Sequence, residues 1–177
     1  RITLAAPSTV LRPGAVAKLM STDQQAGLEP GKGRGEFVHI QAVEGNGTIA
    51  VTTARLANAY LTGIKLVILD PAKVIDVAGI RFRTTSFDTA VAQNWAFAFL
   101  RIFGAVAPSV RGVRMRDGTD IGVQFQACIG HRSQGVQVRR MRNAIDTVSA
   151  GYGIQDGGCA YGNHDGGYFE DCRHGYT

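Results

Sequence analysis

The chain has 177 residues, 45% of them hydrophobic and only 19% charged, a length that suits one core and leaves two full domains cramped. The charged share lies below the roughly 25% of an average soluble protein, so little charged surface is on hand to keep copies apart. The longest apolar stretch, 95–107, is broken by Arg101 and falls short of the ~20 residues of a membrane-spanning helix, which excludes such a span.

The N-terminal Arg1-Ile-Thr-Leu lacks a signal-peptide pattern, and an arginine start is what removal of an earlier segment would leave. Ala5-Ala6-Pro7 and Pro13 suggest an extended arm. Gly31-Lys32-Gly33-Arg34-Gly35 has the bare backbone of a phosphate cradle but not the order of a P-loop, so a basic loop is the better reading. Residues 38–43 alternate, meet Glu44-Gly45-Asn46-Gly47 and resume at 48–52, which predicts a β-hairpin. That turn also accounts for the sequon Asn46-Gly47-Thr48. Residues 54–61 are expected to form a short helix, and 64–69, closed by Asp70-Pro71, a buried strand. The alternation at 80–84 gives a half-buried strand with one apolar and one cationic face.

The period then changes. Ser86 or Asp88 can cap a helix carrying Trp95, Phe97, Phe99, Leu100 and Phe103, stopped at Gly104 with Pro108 beyond. This helix is apolar on nearly every side and needs two covers, from this chain or from a partner subunit. Stretches 110–115 and 121–127 flank 116–120 and predict a second hairpin with three or five loop residues. Residues 135–141 place Val136 and Val138 on one face and Gln137 and Arg139 on the other, as in a surface or edge strand. From Gly151 glycines alternate with Tyr152, Tyr161, Tyr168, Phe169 and Tyr176, a loop-rich tail. No repeat of solenoid length stands out.

These elements predict a strand-rich α+β fold. It would be antiparallel sheets or a barrel-like sandwich, with one dominant helix at 86–103 and a glycine-rich tail. Residues 1–150 form a single domain with an N-terminal arm, and 151–177 belong to that domain or serve as an interface arm.

Seven arginines against two aspartates between Val110 and Asn143 carry the whole formal charge of +5. Of these, Arg111, Arg114, Arg116, Arg139, Arg140 and Arg142 are expected at an interface or anion-binding surface. His164, Asp165, Glu170, Asp171, Cys172 and His174 crowd metal-ligand types into eleven residues, although their spacing matches no common metal motif and a solvated tail is the better reading. Cys159 and Cys172 are disulfide candidates, whereas Cys128 reads as a buried thiol. Cys128-Ile-Gly-His131 invites a thiol–imidazole pair, but without an oxyanion-hole motif a structural cysteine is favoured.

The outline of strands, one helix and arms resembles viral assembly subunits, phage tail-tube proteins among them, with no motif behind the likeness. The reading that follows is a structural subunit of a homomeric assembly, of viral shell, tube or filament type, with copies of itself and acidic neighbours or nucleic acid as partners. It carries no cofactor, leans away from enzyme chemistry, and would reside in a virion or an extracellular assembly. The first alternative is a small enzyme or ligand-binding domain using the C-terminal cluster. The second is a nucleic-acid module using the arginine-bearing strands.

Overall fold

The computed structural model describes residues 1–24, 33–69, 74–83, 98–118, 120–141 and 151–177. They form two compact units, Arg1–Lys73 and Val74–Thr177.

The first unit is an antiparallel sheet of β1 (Ile2–Thr3), β2 (Val16–Gln24), β3 (Gly33–Glu44), β4 (Ile49–Thr52) and β5 (Lys65–Leu69). Their order is β1-β4-β3-β2-β5. The predicted hairpin is present as β3–β4, closed by a 3-10 turn at Gly45–Gly47 in which Asn46 takes φ 54°, a left-handed conformation that asparagine and glycine tolerate. Ala17, Leu19, Val38, Ile40 and Ala50 form its core.

Two expectations fail here. Gly33 and Gly35 open β3 and do not belong to the expected basic loop; a Cβ at Gly33 would lie 1.9 Å from the Ser21 carbonyl oxygen, so close strand approach explains that glycine. Residues 31 and 32 lie outside the described residues. The helix expected at 54–61 does not form. The Glu36 carboxylate instead holds that segment, accepting hydrogen bonds from the Ala57 amide (3.0 Å), the Asn58 amide (3.3 Å) and the Tyr60 hydroxyl (2.9 Å).

The second unit is built from four coils of three short strands. Coil 1 contains β6 (Asp76–Ala78), β7 (Arg81–Arg83) and β8 (Ala98–Phe103); coil 2 contains β9 (Ser109–Arg111), β10 (Arg114–Gly118) and β11 (Ile121–Gln126). Coil 3 contains β12 (Arg132–Gln134), β13 (Gln137–Met141) and β14 (Tyr152–Gly157); coil 4 contains β15 (Asn163–Asp165), β16 (Tyr168–Cys172) and β17 (His174–Tyr176). Each strand pairs in parallel with its counterpart in the next coil. Three four-stranded sheets result, in the manner of a β-helix.

All three sheets contribute to one core, including Val110, Met115, Val123, Phe125, Val138 and Ile154. The corner after the first strand of every coil is a glycine at positive φ: Gly79, Gly112, Gly135 and Gly166, at 69°, 57°, 59° and 61°. Three of these amides donate to the coil above: Gly79 to Arg111, Gly112 to Gln134 and Gly135 to Asp165.

This architecture corrects the predicted α+β sandwich. Among the described residues there is no α-helix, and none is long and apolar enough to cross a membrane. The predicted helix at 86–103 is contradicted at its described end, where Ala98–Phe103 is a strand with Ile102 buried and Phe103 exposed. Residues 86–97, with Trp95 and Phe97, lie outside the described residues. Strands β10 and β11 are not a hairpin; they belong to different sheets and pair with neighbouring coils. Alternation and a turn are satisfied by either arrangement, because local pattern shows which face is apolar but not which strand lies alongside. Strand β13 is flanked by β10 and β16, not at an edge. The tail expected to be loop-rich supplies β14 to β17, and the unseen repeat is the coil, whose corner glycines stand 33, 23 and 31 residues apart.

Candidate functional site

Parallel in-register pairing stacks equivalent side chains about 4.8 Å apart, so chemistry in this unit is organised in columns. Two features result, a cationic outer face and a polar cluster in the interior.

The outer face of the β7-β10-β13-β16 sheet carries one column of Arg81, Arg114, Gln137 and Tyr168 and another of Arg83, Arg116, Arg139 and Glu170. Adjacent like charges at such spacing repel by roughly 1 kcal/mol even at the dielectric constant of water. Relief is uneven. Asp117, almost fully buried, pairs with Arg83 (3.2 Å), Arg116 (3.6 Å) and Arg140. Arg139 pairs with Glu170 (3.1 Å) and lies over the Tyr168 ring. No acidic partner among the described residues offsets Arg81 or Arg114, and both line a depression of about 480 Å³ together with Arg83, Arg116, Gln137 and Arg139.

Of the six arginines singled out by sequence, Arg114, Arg116 and Arg139 share this face. Arg140 turns, at φ 57°, toward Asp117. Arg111 is on the β9 sheet and pairs with Asp76 at 2.6 Å, which holds that carboxyl below its ordinary range. Arg142 lies outside the described residues. Arg81 and Arg83 complete the face, and sequence had offered them only as the cationic side of a strand.

The interior cluster arises where two columns turn from apolar to polar and a corner histidine joins them. Val77 and Val110 are followed by Ser133 and His164, and Ile102 and Phe125 by Asp156. That histidine is His131, whose Nε2 approaches Gly162 so closely that a Cβ there would lie 2.2 Å away. His131 Nε2 is 2.7 Å from Asp156 Oδ2, and His164 Nε2 is 3.0 Å from the same oxygen. Ser133 Oγ is 2.7 Å from His164 Nδ1. Burial pushes the Asp156 carboxyl up, but the hydrogen bonds and charge of the two imidazoles outweigh it and hold the group at about 2.

The Ser133–His164–Asp156 chain has the connectivity of a nucleophile, a base and its orienting acid. Ser133 is 3% exposed, however, so its hydroxyl cannot reach a substrate and serves to orient the imidazole.

Only His164 of the predicted C-terminal cluster joins this group. Asp165 is exposed on the same strand, Glu170 pairs with Arg139, the Cys172 thiol donates to the Val138 carbonyl (3.8 Å), and His174 stacks on Tyr152 at 5.5 Å. Asp171 stands at φ 54° on β16. Strand alternation across three sheets separates these residues. Cys159 and Cys172 are both free thiols. Cys159 neighbours Cys128, whose amide donates to its sulfur at 3.3 Å, and the proximity of the Cys159 thiol lowers the Cys128 thiol below its ordinary range. His131 turns to Asp156 rather than to Cys128.

The second unit thus belongs to the class of parallel β-solenoids with a cationic flank. No family model matches the sequence, and no curated protein matches it. Two crystal structures are similar. The tailspike protein gp49 of Pseudomonas phage LKA1 aligns with 94% of this chain at TM-score 0.65 and 21% identity. The tailspike gp61 of Pseudomonas phage phi297 aligns with 99% at 0.68 and 18% identity. At such identities the likeness concerns the fold. The chain spans 27% and 28% of the length of those two proteins.

Proposed function

We propose that this chain is a structural segment of a homomeric viral assembly, of spike type. The observation that carries the reading is the coil stack together with its likeness to two phage tailspikes over nearly the whole chain. Physically, a stack of in-register coils saturates backbone hydrogen bonds along its axis and presents flat side-chain columns, a form suited to stiff, laterally packed parts. Arg81 and Arg114 on the unbalanced cationic face then supply contacts to an acidic surface of a neighbouring copy.

The test is solution mass by light scattering, with electron microscopy of the same sample. The intact chain forms a discrete homomeric species, and the double change Arg81→Glu with Arg114→Glu weakens it in a salt-dependent manner. A wild-type chain that stays monomeric at high micromolar concentration refutes the assembly reading. A homomer untouched by the double change refutes the role of the arginine face.

A further inference from the structure

The interior cluster is not needed to make a spike, and its chemistry is specific. We propose that His131, Asp156 and His164 bind one divalent transition-metal ion of the zinc class, clamping coil 3 to coil 4. Two imidazoles and one carboxylate are the ligand types that such ions take, and three protein ligands leave a further coordination position.

The geometry is close to what an ion requires. One ligand atom from each residue lies within 4.8 Å of the others. Metal–nitrogen and metal–oxygen bonds of about 2.0–2.1 Å place tetrahedral ligand atoms about 3.4 Å apart. The two histidine–carboxylate distances, 2.7 and 3.0 Å, therefore need to open by less than about 1 Å, a small side-chain adjustment.

Two further observations point to a ligand. Asp156 Oδ1 is shielded from solvent and without a hydrogen bond, although its partner oxygen serves two imidazoles; a metal ion can use that second oxygen. Gly162 keeps the approach to His131 Nε2 clear, since any side chain there would strike the ring.

The proton positions are consistent. With metal on both Nε2 atoms, each neutral imidazole carries its proton on Nδ1, and His164 Nδ1–H donates to Ser133 Oγ over the same 2.7 Å. Such an outer hydrogen bond fixes tautomer and ring orientation in metal sites. His164 and Asp156 are 18% and 29% exposed, which gives an ion access from solvent. The residues come from the corner before β12, from β14 and from β15, so one ion ties successive coils together.

The experiment uses the whole chain, stripped with a chelator and titrated with Zn2+ or Co2+ alone. Expected are one ion per chain, visible Co2+ absorption of low-coordinate type, and a raised melting temperature. Nitrogen NMR of the intact chain is expected to show Zn2+ shifting the Nε2 signals of His131 and His164 and not those of His174. Asp156→Asn and His164→Gln each weaken binding at least tenfold, and His174→Gln leaves it unchanged. No saturable binding by the intact chain overturns the proposal. So do Nε2 signals of His131 and His164 that stay fixed at saturation, or folded variants that bind as wild type does. These readouts are independent of assembly.

Discussion

Phe125→Ala is the most direct test of the core of the coil stack. Phe125 is fully buried, with Ile102 beneath it in the column and the His131 ring 4.6 Å away. Removing such a ring loses its transfer free energy and leaves a cavity that the hydrogen-bonded coils cannot collapse to fill, a combined cost of about 3–5 kcal/mol. Against a total of roughly 5–15 kcal/mol for a domain this is a large fraction. At roughly 4–8 °C per kcal/mol for a domain of about 100 residues, the melting temperature falls by at least about 12 °C. The control is Phe103→Ala, one residue beyond Ile102 but 60% exposed, where less than about 1 kcal/mol is expected. Urea denaturation reads the global change, and amide exchange at Val123 and Ile154 reads this core specifically. A loss under about 1 kcal/mol for Phe125→Ala, or an equal loss for Phe103→Ala, refutes the assignment of inward and outward faces.

Gly112 has φ 57° and open space where a Cβ would go, so Gly112→Ala meets only the left-handed backbone cost of about 1–2 kcal/mol and Gly112→Asn less; equal stability of Ala and Gly in denaturation would contradict the corner geometry. Asp117 stands at φ 65°, so Asp117→Asn keeps a residue type that tolerates the left-handed backbone but removes the charge shared by three arginines, with an expected loss of about 1–3 kcal/mol. That loss shrinks in high salt, and a salt-independent loss would show that the ion pairs are not its cause. Asp23 accepts hydrogen bonds from the amide of Leu61 at 2.6 Å and from the hydroxyl of Thr62 at 2.6 Å, which lower it from 3.8 to about 2. Its contribution is therefore present above about pH 4 and fades as pH falls toward 2, so wild type and Asp23→Asn converge there; a constant gap measured by acid titration would refute this.

Much of the local pattern was legible in the chain, and the partners of each strand were not. Val136 and Val138 announced an inward face, and the apolar 121–127 announced a strand, because alternation is a property of a single segment. Whether 110–115 turns back on 121–127 or lies over a later coil depends on corner geometry. Gly112 and Gly135 display that geometry only once they are aligned, and unequal coil lengths hide the alignment. The helix expected over 86–103 rested on apolar spacing around Phe99 and Phe103, which a strand with Ile102 inward also satisfies. The interior cluster was harder still. Asp156 sits in Gly153-Ile-Gln-Asp-Gly157 and looks like a turn residue, and it meets His131 and His164 only through stacking. A search for polar residues at column positions held elsewhere by Val110 or Phe125 would have found it.

The unequal coils have a consequence for how such a chain can change. Between the second and third strands, coils 2 and 4 have at most two residues, Thr119 and Asp120 in one and Arg173 in the other. In coils 1 and 3 the corresponding strands are separated in sequence by 84–97 and 142–151. The strands on either side keep their register in all four. Lengthening a connection between fixed ends is thermodynamically mild, about 0.6 kcal/mol per doubling. One edge of the stack is thus a place where new sequence can be written without re-laying the ladder beneath it. The corner between Gly118 and Ile121 is accordingly the natural point at which to graft a foreign peptide.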